Sequence, residues 1–166
     1  MMELGLTFPL QRLVRQAPPP ALGQGERRYC WDLHVIPLRG RRSLLAVHCA
    51  SRYAFVLYDV PLRQWADVIG LFQVGLCDSL AAAGLPAGEV DAYRQRAGEP
   101  ALTRTHGRRE VAFLNRAWED VLALELLLDV GQQAQPALDA AVNARPSRCA
   151  GEEGRAPAAA RIRRML

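Results

Sequence analysis

The chain of 166 residues contains no lysine: all 21 of its basic residues are arginine. It has no long apolar run either. The longest, from Val121 to Val130, is broken by Glu125 and Asp129, well short of the ~18 apolar residues a membrane helix needs. No two of its cysteines (Cys30, Cys49, Cys77, Cys149) stand as C-x-x-C, so zinc-ribbon and thioredoxin motifs are not supported. Walker loop, dinucleotide fingerprint, nucleophile elbow and H-E-x-x-H are all missing, which leaves the common sequence-marked enzyme classes without support. The first apolar run is preceded by Glu3 and followed by Arg12 and Arg15, the wrong order for an export signal. A cytoplasmic protein with reduced thiols is therefore expected.

What is present suffices for one domain. Hydrophobic residues make up 50% and charged residues 23%, which excludes collagen-like and disordered chains and supplies a real core. The net charge of +4 is not spread evenly. Residues 1–144 hold 15 arginines against 15 acids, whereas the last 22 hold six arginines against Glu152 and Glu153. The expected organisation is a neutral domain over 1–144 and a mobile basic tail over 145–166, where two prolines, two glycines and little aliphatic content give no periodicity.

The patterning predicts an α+β fold. Residues 2–8 read as a first strand and 9–16 as a short helix with proline in its first turn. Residues 29–38, 43–49 and 53–59 are rich in aromatic and β-branched side chains, have short connections, and read as a three-stranded antiparallel meander. Apolar residues from Trp65 to Leu80 fall at helical spacing, so one helix is expected over 62–83, ended by Gly84. A short helix from Pro86, a fifth strand at 100–105, a long helix over 108–130 and a weak helix at 136–142 complete the reading. The expected architecture is an antiparallel sheet with two long helices on one face.

The middle of the chain resembles an uncharacterised bacterial domain-of-unknown-function family. The resemblance rests on Trp31-Asp32-Leu33-His34, on Arg39-Gly40-Arg41-Arg42-Ser43-Leu44-Leu45, on Tyr53-Ala54-Phe55-Val56-Leu57, on Gly84-Leu85-Pro86 and on the segment from Arg108 to Asn115. It covers about residues 2–130 and leaves out the tail. It implies a fold and no activity.

Several residues are candidates for function. Asp32 and His34 are two apart on a strand and share a face. A carboxylate beside an imidazole suits a general base, and the same pair also suits a polar sheet rim. A hairpin loop of Gly40-Arg41-Arg42 would set His34 opposite His48, whereas a loop of Gly40-Arg41 would put the histidines on opposite faces. No third firm ligand accompanies them, so no metal and no cofactor is expected. Arg39, Arg41 and Arg42 crowd the hairpin tip, where their forks suit phosphate or carboxylate or simply solvate the turn. His106-Gly107-Arg108-Arg109 opens a helix whose positive end ought to repel cations, by ~0.3–1 kcal/mol each. That argues either for a bound anion or for an internal salt bridge from Arg109 to an acid elsewhere in the domain. Trp31 is a candidate stacking surface or a core residue, and Asn115 lies near the expected core face of the long helix. Two functions follow: a non-catalytic binding or accessory module recognising an anionic ligand, protein or nucleic acid through its arginines, or a hydrolase or nuclease using Asp32 and His34 with arginine charge stabilisation. No membrane partner is expected, and a free edge strand leaves homodimerisation open.

Overall fold

The computed structural model describes residues 1–21 and 25–166. Strand β1 (Met2–Leu6) is buried on both faces along its whole length. β2 (Cys30–Leu38), β3 (Arg41–His48) and β4 (Ala54–Leu57) follow as the expected antiparallel meander. β5 (Pro100–Arg104) forms where a fifth strand was expected. The sheet order is β4-β3-β2-β1-β5. β1 lies between β2 and β5 and runs parallel to both, so the sheet is mixed and not antiparallel. The reason lies in the connections. Parallel neighbours need long crossovers, and helix-bearing segments both precede β2 and precede β5: α1 (Phe8–Val14) before β2, and α2 (Leu62–Trp65), α3 (Val68–Ala82) and α4 (Ala87–Ala97) before β5.

Helices cover both faces, not one. On the first face Leu4, Leu6, Trp31, Leu33, Leu44 and Phe55 pack with Phe72, Leu76 and Leu80 of α3 and Tyr93 of α4. On the second, Ile36, Leu45, Val47 and Val56 pack with Leu114, Ala117 and Val121 of α5 (Arg108–Ala123) and Leu138 and Val142 of α6 (Pro136–Ala144). Strands that are apolar at successive positions, as in Leu44-Leu45-Ala46-Val47, are the mark of a sheet covered on both sides.

Two helices are shorter than their apolar spacing suggests. The stripe that begins at Trp65 is interrupted at Asp67, whose carboxylate accepts a hydrogen bond from Gly70 N at 2.9 Å and caps α3. The long helix ends at Ala123 and passes into a single 3₁₀ turn, Glu125–Leu127, leaving Leu126 94% exposed. Gly84, at φ +86°, does end α3 as expected.

The hairpin turns at Arg39-Gly40, both at positive φ, as a two-residue primed turn requires. Leu38 pairs with Arg41, and the register sets His34 opposite Leu45 and His48 opposite Trp31. The two histidines are on opposite faces and cannot share a ligand. His48 is fully buried: Ser51 Oγ lies 2.7 Å from Nδ1, Ser51 N donates to Nδ1, and Nε2–H donates to Arg28 O at 2.9 Å. One donor and one acceptor satisfy a neutral ring, and burial pushes its pKa down to about 4.

The edge of β4 is closed by side chains. Asn143 Oδ1 accepts from Ala54 N at 2.8 Å and its Nδ2 donates to Ala54 O at 2.7 Å; one helical turn earlier, Asp139 Oδ1 accepts from Val56 N at 3.0 Å. Spaced i, i+4 on α6, the two side chains do for β4 what another strand would.

Residues 145–166, expected as a mobile tail, are packed on the domain. β6 (Pro146–Ser147) pairs with β7 (Ala156–Pro157), and α7 (Ala158–Met165) follows. Ile162 enters the first core, and Arg161, 1% exposed, donates to Ser51 O, Ser147 O and Ala156 O at 2.8–2.9 Å. What composition reads as a solvated charge is here a buried guanidinium used as a multiple donor to backbone carbonyls.

Asn143→Ala strips the hydrogen bonds from Ala54 and is expected to lower unfolding free energy by roughly 1–3 kcal/mol in urea titrations. A second expectation concerns His48. Its folded-state pKa is depressed, so its contribution to stability is present above the unfolded value near 6.5 and is lost as pH falls toward 4, by about 3 kcal/mol in all. Urea midpoints measured across that window should fall, and less steeply in His48→Gln.

Candidate functional site

The polar side chains of the first two strands converge on one histidine. Glu3 of β1 is level with Cys30 of β2, and Gly5 with Asp32; Cys49, just beyond β3, donates its N–H to Cys30 O at 2.9 Å. The bend after β5 turns His106 back over this face of the sheet. Its Nδ1 lies 2.6 Å from Asp32 Oδ1 and 3.6 Å from Cys49 Sγ, its Nε2 lies 3.1 Å from Glu3 Oε2, and its backbone N donates to both Asp32 oxygens at 3.2–3.3 Å. Glu3, Asp32, Cys30 and Cys49 are all buried, and the His106 side chain is 8% exposed.

Gly5 makes this possible. A Cβ there would collide with the Asp32 carboxylate and stand 2.9 Å from Thr105 Cα, so only glycine lets Asp32 lie across β1 to reach the loop before α5.

The imidazole is held between two carboxylates, with both ring N–H groups donating. Burial alone would lower its pKa, but the bonds to Asp32 and to the two thiols more than reverse this and hold it above the usual histidine range. Burial pushes the Asp32 carboxyl up, opposed by His106. Burial also drives the Cys49 thiol up to about 12, so Cys49 is no activated nucleophile. The set can hold a proton, or it can hold a cation: Glu3, Cys30 and His106, and equally Asp32, Cys49 and His106, each bring three ligand atoms within 4.8 Å of one another.

Around this centre sit ion pairs and a cleft. Glu110 of α5 is buried and accepts from Arg27 and, at 3.2 Å, from Arg109. Burial would raise its carboxyl, and the bond from Arg27 outweighs that and holds it low. On the solvent side His106 and Gly107 border a cleft of about 330 Å³ that also includes Phe8, Gln11 and Arg104. A second hollow of about 500 Å³ shares Phe8 and Gln11 and adds Arg12 and Arg15.

Residues 4–158 match the family model for a domain of unknown function, DUF6933. The chain belongs to that family. The match runs past the expected limit near residue 130 and takes in most of the segment read as a tail. No curated protein matches the chain. No helix among the described residues is long and apolar enough to cross a membrane.

The DUF6933 fold separates the residues singled out from sequence. Trp31 is a core residue, its Nε1 donating to Tyr93 OH at 3.0 Å. It is no stacking surface. Asp32 and His34 share a face as expected but take different partners: Asp32 binds His106, and His34 Nδ1 is 2.7 Å from Thr7 Oγ1 with its ring edge-on to Trp118. They form no acid–base pair. Arg41 and Arg42 are exposed beside the hairpin turn. Arg109 bridges its sequence neighbour Glu110 and not an acid elsewhere in the domain, and Arg108 is exposed. Asn115 faces solvent, because the buried stripe of α5 runs through Leu114, Ala117 and Val121.

Glu3, Cys30, Cys49 and Arg27 carry the centre with His106; none of the four was a candidate, and His106 was named only as part of the stretch that opens the long helix. The signal for them was weak but present: one glycine in an otherwise apolar first strand, an acid alternating with it, and a histidine just after an expected strand. In chelator-treated protein, NMR of the ring nitrogens should find His106 doubly protonated through neutral pH. Asp32→Asn should return its titration toward the ordinary value near ~6.5. A raised pKa stabilises the fold fully below that ordinary value and loses its effect as pH rises through the folded one, so the variant's deficit should be largest at acid-to-neutral pH.

Proposed function

We propose that this DUF6933 chain is a binding or accessory module, without catalytic machinery of its own, that recognises an anionic partner in the cleft between α1 and the segment joining β5 to α5. The observation that carries this reading is the charge around that cleft. Arg104 lines that cleft, Arg12 and Arg15 line the adjoining hollow that shares Phe8 and Gln11, Arg108 follows Gly107 at its edge, and neither residues 4–21 nor residues 100–109 contain an acid. Glu3, Asp32 and Glu110 are buried and already bound to His106, Arg27 or Arg109, and the exposed Glu26 nearby is paired with Arg28 at 2.7 Å. The field reaching solvent is therefore positive over a concave surface. Phe8, 71% exposed at its rim, adds an apolar contact.

Arg41 and Arg42 form a second basic feature. They are consecutive on a strand and so diverge to opposite sides of it, which suits them less well to one partner than a cleft. A cytoplasmic location fits the reading, since every cysteine side chain in the chain is a free thiol.

A labelled single-stranded oligonucleotide and a polyglutamate peptide, titrated by fluorescence anisotropy, test this. Binding should weaken with salt, with a logarithmic slope of about −2 for three phosphate contacts on the oligonucleotide. Arg12→Ala/Arg15→Ala/Arg104→Ala should reduce affinity at least tenfold, and Arg41→Ala/Arg42→Ala should leave it nearly unchanged. The opposite ranking would move the contact to the hairpin tip.

A further inference from the structure

We infer that His106 Nε2, Glu3 and Cys30 form a binding site for a divalent transition ion of the zinc class, with Asp32 as the carboxylate that orients the histidine. This goes beyond the anion-binding reading and does not rest on it.

The donor set is the first argument. Imidazole nitrogen, carboxylate oxygen and thiolate sulfur together suit a borderline-soft ion such as zinc far better than magnesium or calcium, which take oxygen alone. The three come from three separate parts of the fold, β1, the start of β2 and the bend after β5, and converge although nothing in the local sequence groups them.

Under-use of buried polar atoms is the second. A buried carboxylate ordinarily gathers several hydrogen bonds. Among the described residues the Glu3 side chain has one, from His106 at 3.1 Å, and Cys30 Sγ has a long contact of 3.6 Å to Glu26 O besides its bond to the His106 ring. Each of these buried groups keeps acceptor capacity that its bond to His106 does not use, and a shared cation would take it up in both.

Geometry decides between the two possible triplets. Ligands on a tetrahedral ion with bonds of about 2.0–2.3 Å stand roughly 3.3–3.8 Å apart. Glu3 Oε2 is 3.1 Å from Nε2, close to that separation. Asp32 Oδ1 is 2.6 Å from Nδ1, the length of a charge-assisted hydrogen bond, and Asp32 also accepts from the His106 backbone N–H. Asp32 thus occupies the place that carboxylates take behind metal-bound histidines, holding the proton on Nδ1 while the ion displaces the one on Nε2. Cys49, on the Asp32 side of the ring, stays a thiol.

The test uses full-length protein without a polyhistidine tag, stripped with chelator and titrated with cobalt(II), then zinc. One equivalent of cobalt should bring up a thiolate-to-metal charge-transfer band that zinc abolishes. Cys30→Ser, a near-isosteric change, should lose the band and at least about tenfold in affinity. Cys49→Ser should keep the band. Asp32→Asn should keep it too and weaken affinity by roughly 10–100-fold, as expected of an orienting carboxylate. Circular dichroism on each variant confirms that the fold survives. Absence of the band in folded wild-type protein overturns the proposal, and so does a band lost in Cys49→Ser but kept in Cys30→Ser.

Discussion

Everything at the candidate site depends on β1 running parallel between β2 and β5. A central strand has both edges bonded and both faces covered, so its side chains must match what lies above and below. Leu4 and Leu6 do so with the first core. On the other face the same strand offers Glu3 and Gly5, one a charge and the other an absence. Gly5 leaves the groove that Asp32 fills, and Glu3 supplies the second carboxylate. The bend after β5 then has little freedom, because His106 must meet both. The polar centre is thus set by sheet order, and its cost in buried charge is met by pairing across three elements.

That dependence explains which features were legible in the sequence. The meander was, because Tyr53-Ala54-Phe55-Val56 and Leu44-Leu45-Ala46-Val47 carry their strand character locally and short turns tie them together. The fifth strand and the helix at 136–144 were legible for similar reasons. The direction of β1 was not, since a five-residue strand carries no mark of its partner. The covering of both faces was encoded in the unbroken apolar runs, although the two long helices were expected on one face only. The hairpin register turned on Arg39 accepting positive φ, which arginine does rarely.

The site was less legible than the fold. Asp32 was singled out for its neighbour His34, two residues away, while its true partner is 74 residues on. Sequence proximity suggested an acid–base pair, and the fold instead assembled a histidine between carboxylates from remote strands. Arg161 is a similar case. Composition groups it with a solvated end, and only the fold reveals the three carbonyls that gather around it.

The same long reach bears on how the chain acquires its structure during synthesis. β1 is made first, finds β2 about 25 residues later and β5 only near residue 100, and Asp32 waits still longer for His106. A growing chain can close the meander early, but it must carry an unpaired central strand edge and two uncompensated acids until more than half of its length has emerged. Contacts this distant in sequence slow folding, and an open strand edge invites wrong partners. The early closing of the meander and the late arrival of β5 divide assembly into two stages, with the polar centre formed only in the second.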